Sequence, residues 1–185
     1  SDPDMNSTSL SITGDGVQDG TLDLIKGDAV QLDASVDSDY QGALIWNTTT
    51  PNIISVDENG RLTALSIGTG KVLLIAGNDV AELTVNVSGV NPTAIKINEE
   101  AGSHPVNVGT ILLTASMTAP ENGDFAGVNW YSSDENVATV DSEGVVTVKG
   151  AGVVTITAKA KSSDGKAELS NVTASVELTF VALGI

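Results

Sequence analysis

The chain says the same thing twice. Trp46 and Trp130 lie 84 residues apart (130 − 46). At that same offset Asn52, Val56, Asp57, Gly60 and Thr63 recur as Asn136, Val140, Asp141, Gly144 and Thr147. Solenoid and propeller repeats run about 20–50 residues, so a period this long is a whole small domain. The repeat therefore divides the 185 residues into two domains, expected over 8–90 and 91–185 after a flexible leader at 1–7. A unit of this size buries only roughly 60–65% of its unfolded surface, so its core must be used fully.

Both units read as runs of short strands. Ala29–Val36 alternates apolar and polar residues with period two, the mark of a half-buried strand. Ala43–Trp46 and Val128–Tyr131 carry the tryptophans. Ile53–Val56 and Arg61–Leu65 flank Asp57-Glu58-Asn59-Gly60, and Val137–Val140 and Val145–Val148 flank Asp141-Ser142-Glu143-Gly144, both hairpin signals. Lys71–Ala76 and Val80–Val87 close the first unit; Val153–Ala160 and Val172–Val181 close the second. Ile111–Met117 is expected to form one strand matching Val30–Val36. No segment holds a capped 3.6-residue apolar period, so no long helix is expected. The fold class that follows is all-β. The linker Ser88-Gly89-Val90-Asn91-Pro92 is short and stiffened by Pro92.

Composition then narrows function. There are no cysteines, which excludes disulfides and thiolate metal sites. The formal net charge is −16. Such a chain repels nucleic acid and anionic lipid, whose recognition needs Lys and Arg. No stretch approaches the roughly 20 apolar residues that span a bilayer as a helix. The polar start shows no signal peptide, so export is not legible here.

The residues Trp130-Tyr131-Ser132-Ser133-Asp134-Glu135-Asn136-Val137-Ala138-Thr139-Val140-Asp141, then Gly144–Val148 and Lys149–Ala158, resemble the bacterial immunoglobulin-like domain, group 2. The resemblance runs through 93–181 and, with Thr48-Thr49-Thr50-Pro51 in place of Ser132-Ser133-Asp134-Glu135, through 8–88. Setting Gly70–Ala76 on Gly152–Ala158 calls for a two-residue insertion before Gly70. The resemblance implies two tandem immunoglobulin-like β-sandwiches in a non-catalytic cell-surface or secreted bacterial protein, used for adhesion or as a spacer. A virion decoration or tail module is the alternative it also allows, which suits a chain whose last strand ends its fold at Val181–Ile185. A carbohydrate-binding accessory domain is the third.

The motif residues have structural work to do. Each Trp is expected to fill the gap between two sheets. Gly60 and Gly144 suit a positive φ, and Asp57 and Asp141 can accept turn amides.

Chemistry is harder to find. The single histidine, His104, precedes Pro105 in a Gly/Ser loop and reads as a loop residue; adjacency to Ser103 does not bring the two side chains together. No nucleophile elbow, Walker loop or dinucleotide loop occurs. Catalytic and cofactor-binding residues are therefore expected to be none, and no metal ligands are assigned. Calcium is the one cation considered as a partner, because Asp33, Asp37 and Asp39, and separately Asp15, Asp19 and Asp23, cluster in sequence. The second set is only a fragment of an EF-hand pattern: Val17 stands at the third ligand position and the closing Glu is missing. Tyr40 and Phe125, in equivalent loops, are read as plugs of the sandwich ends or as contacts for a protein or glycan partner.

Overall fold

A computed structural model describes residues 9–184. The leader expected at 1–7 lies outside the described residues. The chain divides into two compact units between Gly89 and Val90.

In the first unit the strands are β1 (Leu10–Gly14), β2 (Thr21–Ile25), β3 (Ala29–Val36), β4 (Leu44–Thr48), β5 (Ile54–Val56), β6 (Arg61–Ala64), β7 (Gly68–Ala76) and β8 (Asp79–Ser88). They form two four-stranded sheets, ordered β1-β3-β6-β5 and β2-β8-β7-β4. Period-two burial explains the layering. Ile12, Leu32, Ile54 and Leu62 from the first sheet meet Leu22, Leu24, Val72, Leu74, Leu83 and Val85 from the second in one buried cluster. Each such Leu or Ile contributes about 2 kcal/mol by leaving water. The chain changes sheet between β1 and β2: β1 runs antiparallel to β3, whereas β2 runs parallel to β8, Leu22 opposite Val85.

The second unit repeats the plan as β9 (Ala94–Ile97), β10 (Gly102–Pro105), β11 (Thr110–Leu112), β12 (Ala115–Ala119), β13 (Val128–Ser132), β14 (Ala138–Val140), β15 (Val145–Val148), β16 (Gly152–Lys161) and β17 (Glu168–Val181). One sheet is ordered β10-β17-β16-β13; opposite it lie β11-β15-β14 and the pair β12-β9. Here the single strand expected over Ile111–Met117 is broken. Glu99 accepts hydrogen bonds from the Thr114 N–H and from its hydroxyl at 2.7 Å, and Asn98 N–H donates to the Thr114 carbonyl. The chain thus pairs β11 with β15 and β12 with β9 instead of forming one ladder. A 3-10 turn at Val106–Val108 is the helical element among the described residues.

Two expectations about packing change. Both tryptophans are half-buried and sit at the margin of their cores. The fully buried side chains are aliphatic in the first unit, and in the second they include Phe180, 1% exposed. Each indole still reaches from its own sheet to the hairpin glycine of the opposite one, Gly60 or Gly144, while aliphatic residues fill the middle at close-packed density. The insertion before Gly70 is also absent. Trp46 faces Leu74 and Trp130 faces Ala158, which sets Gly68 on Gly152 with the 84-residue offset intact (158 − 74; 152 − 68). Both glycines lie against the residue just ahead of the preceding hairpin, Ile53 and Val137 respectively.

Candidate functional site

The recurring Trp, Asp and Gly form a folding device. Asp57 Oδ1 accepts the N–H groups of Asn59 (2.9 Å) and Arg61 (2.8 Å). Asp141 Oδ1 accepts those of Glu143 and Val145, both at 2.9 Å. Gly60 and Gly144 have φ of 84° and 85° and their carbonyls receive the N–H of Leu32 and Leu113 at 2.9 Å. A side chain at Gly60 would lie 2.8 Å from Trp46 Cε2, and one at Gly144 would lie 3.1 Å from Trp130 Cε2. The glycine therefore lets the hairpin close under the indole. Sequence spacing held a signal for this contact, since Gly follows Trp by 14 positions in both copies (60 − 46; 144 − 130). Turn chemistry alone did not reveal it.

The other residues singled out in the sequence are dispersed. His104 lies on β10, its ring 6.1 Å from that of Phe180, in a packing contact. Asp33 is exposed on β3. Asp37 accepts the Ser9 N–H at 2.9 Å, and Asp23 accepts from the Asn86 side chain at 3.0 Å. Among the described residues, no group of three or more His, Cys, Asp or Glu is arranged to hold a metal ion. Tyr40 turns inward on its own loop, donating its hydroxyl to the Ala43 carbonyl at 2.7 Å. Phe125 remains 38% exposed.

A polar cluster on the second unit was not legible in the sequence. On the outer face of the β13-β16-β17 sheet, Glu168 accepts from the Tyr131 hydroxyl and from Asn129 Nδ2 (3.2 Å). Lys159 Nζ stands 5.0 Å above the Tyr131 ring, a cation–π contact. The hydrogen bond from Tyr131, then that from Asn129, holds the Glu168 carboxyl below its ordinary range. The same hydrogen bond raises the Tyr131 phenol. Glu168 also borders an open groove of about 380 Å³ formed with Asn91, Pro92, Leu169, Ser170, Asn171 and Val172. Tyr131 and Glu168 are 37 residues apart and meet only because Lys161 pairs with Glu168 across the hairpin. An ionised carboxylate with two donors already in place is suited to binding and to hairpin closure. General acid–base chemistry would need a proton held near neutrality and a second group facing it across a cleft.

These features define a tandem pair of immunoglobulin-like β-sandwiches. Residues 119–163 match the family described as "Intimin, immunoglobulin-like domain", which upholds the bacterial immunoglobulin-like resemblance in the second unit. The chain is similar to lacto-N-biosidase of Bifidobacterium bifidum, 36% identical over 83 residues, covering 44% of this chain and 8% of that protein. It is also similar to alpha-L-arabinofuranosidase of Bifidobacterium longum subsp. longum, 27% identical over 146 residues, covering 74% of this chain and 13% of that one. The chain thus spans only a small fraction of the length of the curated relatives it matches. Among solved structures, the N-terminal four immunoglobulin domains of Dscam1 isoform 6.9 superpose with a TM-score of 0.53 at 12% identity, covering 95% of this chain and 47% of that one. That likeness concerns the fold alone. Among the described residues no helix is long and apolar enough to cross a membrane.

Proposed function

We propose that this chain is a non-catalytic segment of a bacterial cell-surface or secreted protein, and that its two immunoglobulin-like modules serve adhesion or hold another part of that protein at a distance. The observation that carries this reading is the intimin-type immunoglobulin match in the second of two duplicated sandwiches. Its physical basis is simple. Each unit is locked by strand ladders and its own aliphatic core, while its edges and end loops are free to be offered to a partner. The test is deletion of residues 9–184 from the parent protein displayed on its cell. Attachment should fall, or the reach of the distal part should shorten, with any enzymatic activity of the parent unchanged. Unchanged attachment and reach would reject the reading.

A second reading has its own support: both curated relatives described above are named as glycosidases, and the chain matches a small part of each. In that reading the pair is an accessory module of a longer enzyme. Binding of the isolated pair to the glycan that the parent cleaves would favour it, and a blank glycan array would count against it.

A further inference from the structure

The two copies differ on one face. In the first unit Ile45 of β4 lies opposite Ile75 of β7, which lies opposite Val80 of β8. Strand alternation puts all three on the solvent side of the sheet, where Ile45 is 53% and Val80 55% exposed. In the second unit the register gives Asn129, Lys159 and Thr173 at the same three places. The fold therefore does not require aliphatics there. One copy has a polar, charged row and the other an apolar one.

The edge beside this row is open as well. Among the described residues β4 is the terminal strand of its sheet, paired only with β7. Natural edge strands are guarded by charges, Pro or bulges. Residues 41–56 hold no Asp, Glu, Lys or Arg. The matching edge of the second unit, β13, lies under the Asn129–Glu168–Tyr131 network and Lys159.

We propose that β4 with the row Ile45–Ile75–Val80 is a docking surface for a protein partner that adds a strand to this edge, with aliphatic side chains over the row and basic residues at its flanks. Charge selects that occupant. Residues 1–90 carry 13 acids against 3 bases, and the charge-free segment lies between Asp37 and Asp39 on one side and Asp57 and Glu58 on the other. Lys71, on the same face of the sheet, is paired with Glu82 at 3.1 Å. A second copy of this chain would bring like charge to the same rim, whereas a lysine-flanked strand would be steered to it. This deepens the adhesion half of the function proposed above.

The experiment titrates the isotope-labelled chain with a short synthetic peptide of alternating Val and Thr flanked by lysines, read by amide NMR. Shifts should concentrate at residues 44–48 and weaken as salt is raised. The triple variant Ile45→Asn, Ile75→Lys, Val80→Thr carries the residues that the second unit already holds in this register. It should keep a dispersed spectrum and lose about tenfold in affinity or more. Val80→Thr alone is the milder variant and should lose a few-fold. A glutamate-flanked peptide should bind more weakly than the lysine-flanked one. No shifts at millimolar peptide, shifts away from β4, or equal affinity in both variants would overturn the proposal. So would dimerisation of the chain with β4 amides protected before peptide is added, because a second copy would then be the occupant. None of these failures touches the non-catalytic reading, which the parent deletion tests.

Discussion

Gly60 and Gly77 both lie in the left-handed region, with φ of 84° and 62°, yet their surroundings are opposite. Alanine at Gly77 would meet nothing within 4 Å. At Gly60 its Cβ would lie 2.8 Å from Trp46 Cε2 and 2.9 Å from the Leu32 carbonyl oxygen. Gly77→Ala should therefore cost only the backbone term, about 1 kcal/mol. Gly60→Ala adds displacement of the indole and of β3 backbone, about 1–2 kcal/mol for overpacking. It also strains the Leu32 N–H bond to the Gly60 carbonyl, now 2.9 Å, so the total reaches about 3 kcal/mol. The assay is urea unfolding followed by indole fluorescence in a Trp130→Phe background, where Trp46 alone reports. With a slope of about 1 kcal/mol per M for a unit this small, the midpoints should fall by roughly 1 M and roughly 3 M. Equal losses would refute the argument, because they would mean that the Trp46–Gly60 approach imposes no constraint beyond φ.

Other outcomes follow from the same geometry. Asp57→Ala, which strips the acceptor from two N–H groups, should destabilise the first unit by about 1–2 kcal/mol in chemical unfolding, and Asp57→Asn should recover most of this because Oδ1 is retained. Leu74→Ala, in a fully buried position, should cost about 3 kcal/mol in the first unit, while calorimetry should show the transition of the second unit unmoved. Because the Glu168 carboxyl is held low by Tyr131 and Asn129, its contribution is present above the ordinary carboxylate range and is lost as pH falls through the depressed value. An NMR titration of Tyr131→Phe should find the Glu168 titration moved upward, and an unmoved titration would show that the hydrogen bond is not its cause. By the same reasoning Ser162→Ala should raise the Asp164 titration, since the Ser162 hydroxyl donates to Oδ1 at 2.6 Å.

Local patterns made much of the architecture readable. The period-two strands and the Gly-ended turns each reflect interactions between residues close in sequence, which is why two all-β units could be written down from them, while the sandwich architecture came from the family resemblance of the duplicated Trp, Asp and Gly motif. The roles of Asp57 and Asp141 were equally local, since a carboxylate reaches only a few residues along its own turn. Contacts that close across sheets were not. The break at Thr114 depends on Glu99 from the bend after β9, and Phe180 gains its buried place from the register of β16 on β17. The Tyr131–Glu168 cluster, the Gly–Trp approach and the aliphatic row across β4, β7 and β8 likewise join residues from separate strands. Periodicity tells which side of a strand a residue takes, and only pairing between strands decides which neighbours share that side. The fold therefore lay in the order of the residues, while the surfaces open to a partner were decided when the strands met.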